Sequence, residues 1–399
     1  MEAPTLMVLV ASFSALLASL CILKLVYSLW WRPKLIEREL KQQGIGGTSY
    51  NFLCGDKLAI EKLMIEAWSI PVSLNHEIIP RVDPFIHQIV QTYGKVCLSW
   101  IGTRPRLILG KAELVRLILN NKSGHFQKPP QNSLVKLLAL GLAALEGEKW
   151  AKHRRLITPA FHHEKLQAMQ DGKAGNADLL GLLLQCKEEK GNELTIEDVI
   201  EECKMFYFAG QETTAIWLTW TLILLSMHPA WQEKARQEVL QICGKTAPDM
   251  EILNRLKIVT MVLFEVLRLY PPATYLARYT VQRTKVGDIC IPAGVEVYVP
   301  TTLLHHDPEY WGDDAEEFNP ERFAEGVSKA SGDQLAFYPF GWGPRICIAQ
   351  NLAIIEAKLA LAMILQHFSF KLSPSYAHAP CAGFTLQPQH GAPIILKPI

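Results

Sequence analysis

The segment Phe340-Gly341-Trp342-Gly343-Pro344-Arg345-Ile346-Cys347-Ile348-Ala349 sets one cysteine in a glycine-bounded turn, directly before a run that reads as a long amphipathic helix. Glycine permits left-handed backbone and close approach, so a turn built this way can hold its thiol against another group. The helix that follows points its positive end back toward the sulfur. A shielded thiolate fed by backbone N–H groups is a soft, electron-donating ligand, well suited to haem iron. The plain alternative is a buried, inert cysteine that happens to precede a helix.

These residues resemble the cysteine-ligand loop of the cytochrome P450 haem-thiolate monooxygenases, whose pattern runs Phe-x-x-Gly-x-Arg-x-Cys-x-Gly. Phe340, Gly343, Arg345 and Cys347 match it, while Ala349 stands where the pattern ends in glycine. The resemblance implies a mainly α fold with small β-sheets (α+β) and haem, iron protoporphyrin IX, as cofactor. It implies that Cys347 is the proximal iron ligand, that Arg345 pairs with a haem propionate and that Phe340 packs beside the sulfur.

Further motifs stand in the family's order. Trp150 and Arg154 are four apart and share one helical face; by resemblance they bond a propionate, whereas alone they would read as a solvated basic helix with one docked tryptophan. A long helix is expected from near Ile196 to about Met227, crossing Ala209-Gly210-Gln211-Glu212-Thr213-Thr214. Glycine and paired threonines are costly in mid-helix unless they act locally. The resemblance makes Gly210 the edge of a groove for dioxygen, Thr213 the hydroxyl beside it and Glu212 a proton relay; taken alone, the threonines would simply bond back to the preceding turn. Glu265 and Arg268, three apart on an apolar helix, can pair, and the family brings an arginine from Pro320-Glu321-Arg322-Phe323 to the same place. These three charges are expected to lock the cysteine loop. Arg278 matches a family arginine that contacts a second propionate, with a surface arginine as the alternative. His305-His306-Asp307 has no zinc spacing and reads as a loop at a helix edge. Val96–Trp100 and Arg106–Leu109 read as a hairpin, and Glu113–Asn120 as a helix.

With 40 basic and 39 acidic residues the formal charge is +1, so nothing suggests a nucleic-acid partner. Nine cysteines without a Cys-x-x-Cys pair argue against a disulfide framework and point to a reducing compartment. Thr5 to Leu23 carries no charge, and the apolar character resumes to Trp31 after Lys24. That run is long enough to span a bilayer, with Arg32, Lys34, Arg38 and Lys41 behind it, so the positive-inside rule puts the bulk of the chain in the cytosol. The alternative, a cleaved signal peptide, lacks a basic start and a small-residue cleavage site. The expected organisation is an anchor at 5–31, a connector at 32–74, irregular beyond a short amphipathic piece, and a haem-thiolate monooxygenase domain at 75–399. The expected localisation is the endoplasmic reticulum membrane, single-pass.

The resemblance breaks at one place. Ala209 follows Trp150 by only 59 positions, whereas the family has on the order of a hundred residues more there, or about five average helices with their loops. A deletion between about residues 166 and 171 is expected, removing helices of the central region. Losing roughly ten buried aliphatic side chains at about 1.5–3 kcal/mol each exceeds a typical net stability of about 5–15 kcal/mol, so poor folding is expected.

Three functions compete. The first is a monooxygenase taking electrons from NADPH through a flavoprotein reductase and acting on a small apolar substrate; Lys149, Lys152 and Arg155 would offer the reductase a basic face. The second is a non-catalytic membrane-anchored remnant. The third, a cysteine hydrolase using Cys347, lacks a partnered histidine and acid. Phe208 to Thr214, Trp311-Gly312-Asp313-Asp314 and Phe340 to Arg345 are most similar to the plant clan that includes secologanin synthase and terpenoid and hormone hydroxylases. That resemblance implies an isoprenoid-type substrate.

Overall fold

Ile196–Met227, a helix of 32 residues, is the spine on which the other helices pack. The computed structural model describes residues 3–130, 141–162, 165, 167, 179–181, 183–184, 194–332 and 335–399. The spine starts where Thr195 accepts a hydrogen bond from the Asp198 N–H while the Asp198 carboxylate accepts from the Thr195 N–H, a reciprocal cap that satisfies two otherwise orphaned donors. It stops at His228 because Pro229 cannot continue it and instead opens the helix Pro229–Cys243.

Pro229–Cys243, Lys257–Leu269 and Gln350–His367 lie against the spine and against one another. Their facing side chains, with Trp217, Trp220, Leu224, Val262, Leu263, Val266, Leu361 and Leu365 among them, form one continuous apolar cluster. Gln350–His367 departs from the expected one-sided amphipathic helix. It packs against all three neighbours, so apolar residues surround most of it, and even Lys358 is buried, donating to the Leu253 carbonyl at 3.3 Å.

A five-stranded sheet completes the core in the order Val96–Ile101, Arg104–Leu109, Glu296–Val299, Leu276–Thr280, Phe126–Gln127. The first two form the expected hairpin, with a tighter turn than the sequence suggested: Arg104 and Pro105 belong to the second strand, and Gly102 at φ +59° makes the reversal. Ala112–Leu119 is helical close to the expected bounds.

Near the N-terminus, Ala3–Val26 is followed without a break by a five-residue wider turn and by Arg32–Gln42. This rod contains the one helix among the described residues that is long and apolar enough to cross a membrane, and its apolar stretch is not buried in the protein. Arg32–Gln42 is amphipathic as expected: Ile36 and Leu40 join the core, and Glu37 sits between Lys34 at 2.9 Å and Lys41 at 2.8 Å. The stretch expected to be irregular up to Leu74 instead contains the helix Lys57–Trp68, whose Ile60 and Leu63, three apart, pack against the cluster of Phe85, Ile86 and Ile89 while its Lys–Glu pairs four apart lie on the exposed side. The expected deletion between about 166 and 171 lies, apart from residue 167, outside the described residues.

One buried ion pair ties the helices to the loops. Glu265 and Arg268 are both wholly buried and bond at 2.7 and 2.8 Å in a two-pronged fork. Arg268 also donates to the carbonyls of His305, Ala315 and Glu317, so its guanidinium is well satisfied. Arg322 lies 3.6 Å from Glu265 and makes its closer pair, at 2.6 Å, with Asp314. Removing one member of such a pair strands the other in a medium that cannot solvate it. Arg268→Ala is therefore expected to cost about 3–5 kcal/mol in chemical unfolding, and a loss below about 1 kcal/mol would contradict this placement.

Candidate active site

The cysteine loop is held from both ends. At its start the Tyr338 N–H donates to His305 Nε2 at 2.9 Å, and His305 Nδ1 lies 3.2 Å from the Arg268 carbonyl. The ring is therefore neutral, with its proton on Nδ1, and it connects the buried ion pair to the loop in two hydrogen bonds. His305 is no metal ligand; it is a bolt, closing the short helix Thr301–His305. Within the loop, the Cys347 N–H donates to the Phe340 carbonyl at 2.8 Å, folding the chain back on itself. Gly343, at φ +70°, lies so close to the end of Ala112–Leu119 that a Cβ there would meet the Leu119 carbonyl oxygen at 2.3 Å. No other residue fits.

Cys347 opens to solvent on one side, yet protein surrounds the sulfur on the others. That burial pushes its thiol up from the ordinary range; the Ala349 N–H and the charge of Arg154 pull the other way. Unaided, the sulfur stays a thiol, and a bound metal cation would deprotonate it outright. Phe340 packs edge-on against Trp217 with ring centres 6.0 Å apart, placing the spine helix beside the loop.

Trp150 and Arg154 share one face of the helix Gly147–Ile157, as their four-residue spacing predicted, and that face meets this loop. Arg154 donates to the Ile346 carbonyl at 2.9 Å, and the Arg345 guanidinium lies 4.0 Å over the Trp150 ring. Arg345 also donates to the Leu145 carbonyl at 2.8 Å and pairs with Glu146. Arg278, in the strand Leu276–Thr280, is buried, and burial with the nearby charge of Arg345 lowers it to about 10. Lys128, which sequence reasoning passed over, joins this group; burial and the charges of Arg278 and Arg345 lower it to about 8. The cluster therefore holds more positive than negative charge in a poorly solvated place, which suits an anionic group. A thiol donor in a loop backed by Phe340 and Trp217, with these cations beside it, fits haem with its two carboxylates.

On the spine, Gly210 is exposed, and a Cβ there would meet nothing within 4 Å. The helix stays α-helical through this segment, and the Thr213 hydroxyl donates back to the Ala209 carbonyl at 2.8 Å, as the simpler reading of the threonines anticipated. Glu212 is held where no sequence signal placed it: Oε1 accepts from Thr385 Oγ1 at 2.8 Å and from Gln387 Nε2 at 2.7 Å. The structure thus gathers Cys347, Arg345, Phe340, Trp150 and Arg154 at the loop, and Gly210, Glu212 and Thr213 on the spine, with Glu265, Arg268 and Arg322 behind.

Comparison with known proteins decides the family. The model for the family Cytochrome P450 matches residues 80–172 and 164–391. The chain belongs to the cytochrome P450 family. It is 43% identical to Cytochrome P450 CYP72A616 of Paris polyphylla, over 92% of this chain and 94% of that protein. It is 41% identical to Cytochrome P450 72A397 of Kalopanax septemlobus, over 94% of each. To the 11-oxo-beta-amyrin 30-oxidase of Glycyrrhiza uralensis it is 40% identical, over 93% of this chain and 94% of that one. The chain is thus a plant-type cytochrome P450 of the monooxygenase family, shorter than its relatives: the first alignment runs over 487 positions and takes in 92% of the 399 residues, about 367, so about 120 of its positions have no counterpart here.

Three buried histidines give the fold a pH dependence. Burial lowers His305 and His76 to about 3 and His378 to about 4, from an ordinary 6.5. The unfolded chain takes up these protons below its own pKa and the folded chain does not. This part of the stability is therefore complete above pH 6.5 and is lost as pH falls toward 3–4. The thermal midpoint is expected to drop between about pH 7 and about pH 5, and a flat profile across that window would contradict the buried, neutral imidazoles.

Proposed function

We propose that this chain is a haem-dependent monooxygenase that inserts one oxygen atom from dioxygen into an apolar, terpenoid-type substrate, using electrons passed from NADPH by a membrane-bound flavoprotein reductase. Cys347 carries the reading: a thiol in a glycine turn, anchored through Tyr338 and His305 to a buried ion pair, with Lys128, Arg154, Arg278 and Arg345 around its loop. Haem supplies the activation of dioxygen and the oxidising power when bound.

The residues of the chain bind, orient and move protons. Cys347 would hold the cofactor through Sγ, and Trp150, Arg154, Arg278 and Arg345 would hold its propionates. Gly210 leaves room on the spine helix for a small molecule. Glu212 can exchange a proton along the Thr385 hydroxyl it already engages, and Thr213 can turn its hydroxyl from the Ala209 carbonyl toward that space. A relative at 40% identity is named for oxidising 11-oxo-beta-amyrin, which supports an apolar polycyclic substrate. The N-terminal rod would anchor the chain in the endoplasmic reticulum membrane with the catalytic part in the cytosol. Lys152 and the exposed Arg155 would offer the reductase a basic face, while Lys149 is engaged by Asp198 at 2.8 Å.

A second reading, a non-catalytic anchored form lacking about five central helices, is favoured by one observation. The two stretches matched by the family meet at residues 164–172, which supports a deletion between about 166 and 171. Turnover separates the readings. With reductase, NADPH and a terpenoid substrate, the wild-type chain is expected to form oxygenated product and Cys347→Ala none. Product from the alanine variant would refute the site, and wild type that binds haem poorly and forms no product would favour the non-catalytic form, which is expected to be unable to hold haem properly.

A further inference from the structure

Glu146 joins three segments of the site and has no role so far. It stands in extended backbone just ahead of Gly147–Ile157, and its side chain makes no capping bond to that helix. Its Oε1 accepts from the Lys128 N–H at 2.7 Å, and its Oε2 pairs with Arg345 Nη2. The same carboxylate acts on three of the neighbouring cations, Lys128, Arg278 and Arg345. With Arg154, which also acts on Arg345 and bonds the Ile346 carbonyl, four positive groups stand against this one carboxylate, an excess that the two carboxylates of haem would reduce.

Arg345 presents a planar fork that suits one carboxylate best. In this structure one prong of that fork, Nη2, is engaged by Glu146 and the other, Nη1, by the Leu145 carbonyl, both from the chain itself. We propose that Glu146 is a resident counter-anion that competes with a haem carboxylate for Arg345 and thereby sets how tightly the cofactor is held. The inference rests on the haem reading above. It separates two things a carboxylate here could do. As a scaffold, Glu146 would orient Arg345 for the cofactor, and its loss would loosen the cofactor. As a competitor, it steadies the cation cluster when the cofactor is absent and opposes the cofactor's charge when it is present, so its loss tightens binding.

The substitution Glu146→Gln keeps the shape and an acceptor for the Lys128 N–H while removing the charge. The test uses the full chain in detergent and follows haem transfer to an excess of an apo-globin scavenger by absorbance. Glu146→Gln is expected to release haem about tenfold more slowly than wild type, the size of one charged hydrogen bond, with the difference shrinking at high salt. The haem-free variant is expected to unfold at lower temperature than haem-free wild type. Release as fast as wild type, or faster, overturns the proposal and leaves the haem reading standing. Should Glu146→Gln fail to fold, Glu146→Asp, whose shorter carboxylate engages Arg345 less closely, must still release more slowly than wild type. A wild-type chain that takes up no haem overturns the parent reading and this one together.

Discussion

The site depends on a charge pair that has no contact with the reacting sulfur. Glu265 and Arg268 are sealed inside the helical core, and neither could remain ionised there alone. Paired in a fork and surrounded by carbonyl acceptors, they become a fixed point from which the loops are measured. The carbonyls of Ala315 and Glu317 pin one loop, and those of His305 and Arg268 itself connect, through the His305 ring, to Tyr338. Tyr338 opens the segment that ends at Cys347. A buried ion pair is weak evidence for net stability, since an apolar pair can do as well. Its value here is directional: hydrogen bonds fix position and rotation in a way that apolar contact does not.

Around the sulfur the electrostatics follow the opposite plan. Where the ion pair is balanced, the charge beside the cysteine loop is not, with Lys128, Arg154, Arg278 and Arg345 set against the one carboxylate of Glu146. Their lowered proton affinities record mutual repulsion as well as burial. Such a cluster is costly to the chain by itself and favourable to an anion that enters it. The apolar side is equally specific, with Phe340 against Trp217 and Gly343 pressed on the end of Ala112–Leu119.

Much of this was legible in the sequence, because the deciding signals were local. The cysteine turn, the four-residue spacing of Trp150 and Arg154, the three-residue spacing of Glu265 and Arg268 and the bounds of Ile196–Met227 all came from neighbours along the chain. The long-range partners did not. Arg345 meets Glu146 across 199 positions, and Glu212 meets Thr385 across 173. Nothing in either neighbourhood announces the other. Gly343 was legible as a glycine that mattered, but its reason, the Leu119 carbonyl against it, appears only in three dimensions. His305 was dismissed as a ligand and turned out to be a structural link, for which a buried imidazole between two backbone groups leaves no sequence mark. Gln350–His367 misled because a helix packed on several sides loses the one-sided pattern of a surface helix.

The account stands on Cys347 being held where it can bind haem iron as a thiolate, even in a chain shorter than its relatives. Optical absorption of the purified full chain, reduced and exposed to carbon monoxide, tests this most directly, because the position of the Soret band reports the atom opposite the carbon monoxide. The band is predicted at the far-shifted position that thiolate ligation produces. A band at the unshifted position of a neutral or nitrogen ligand, or no pigment at all, would contradict the account.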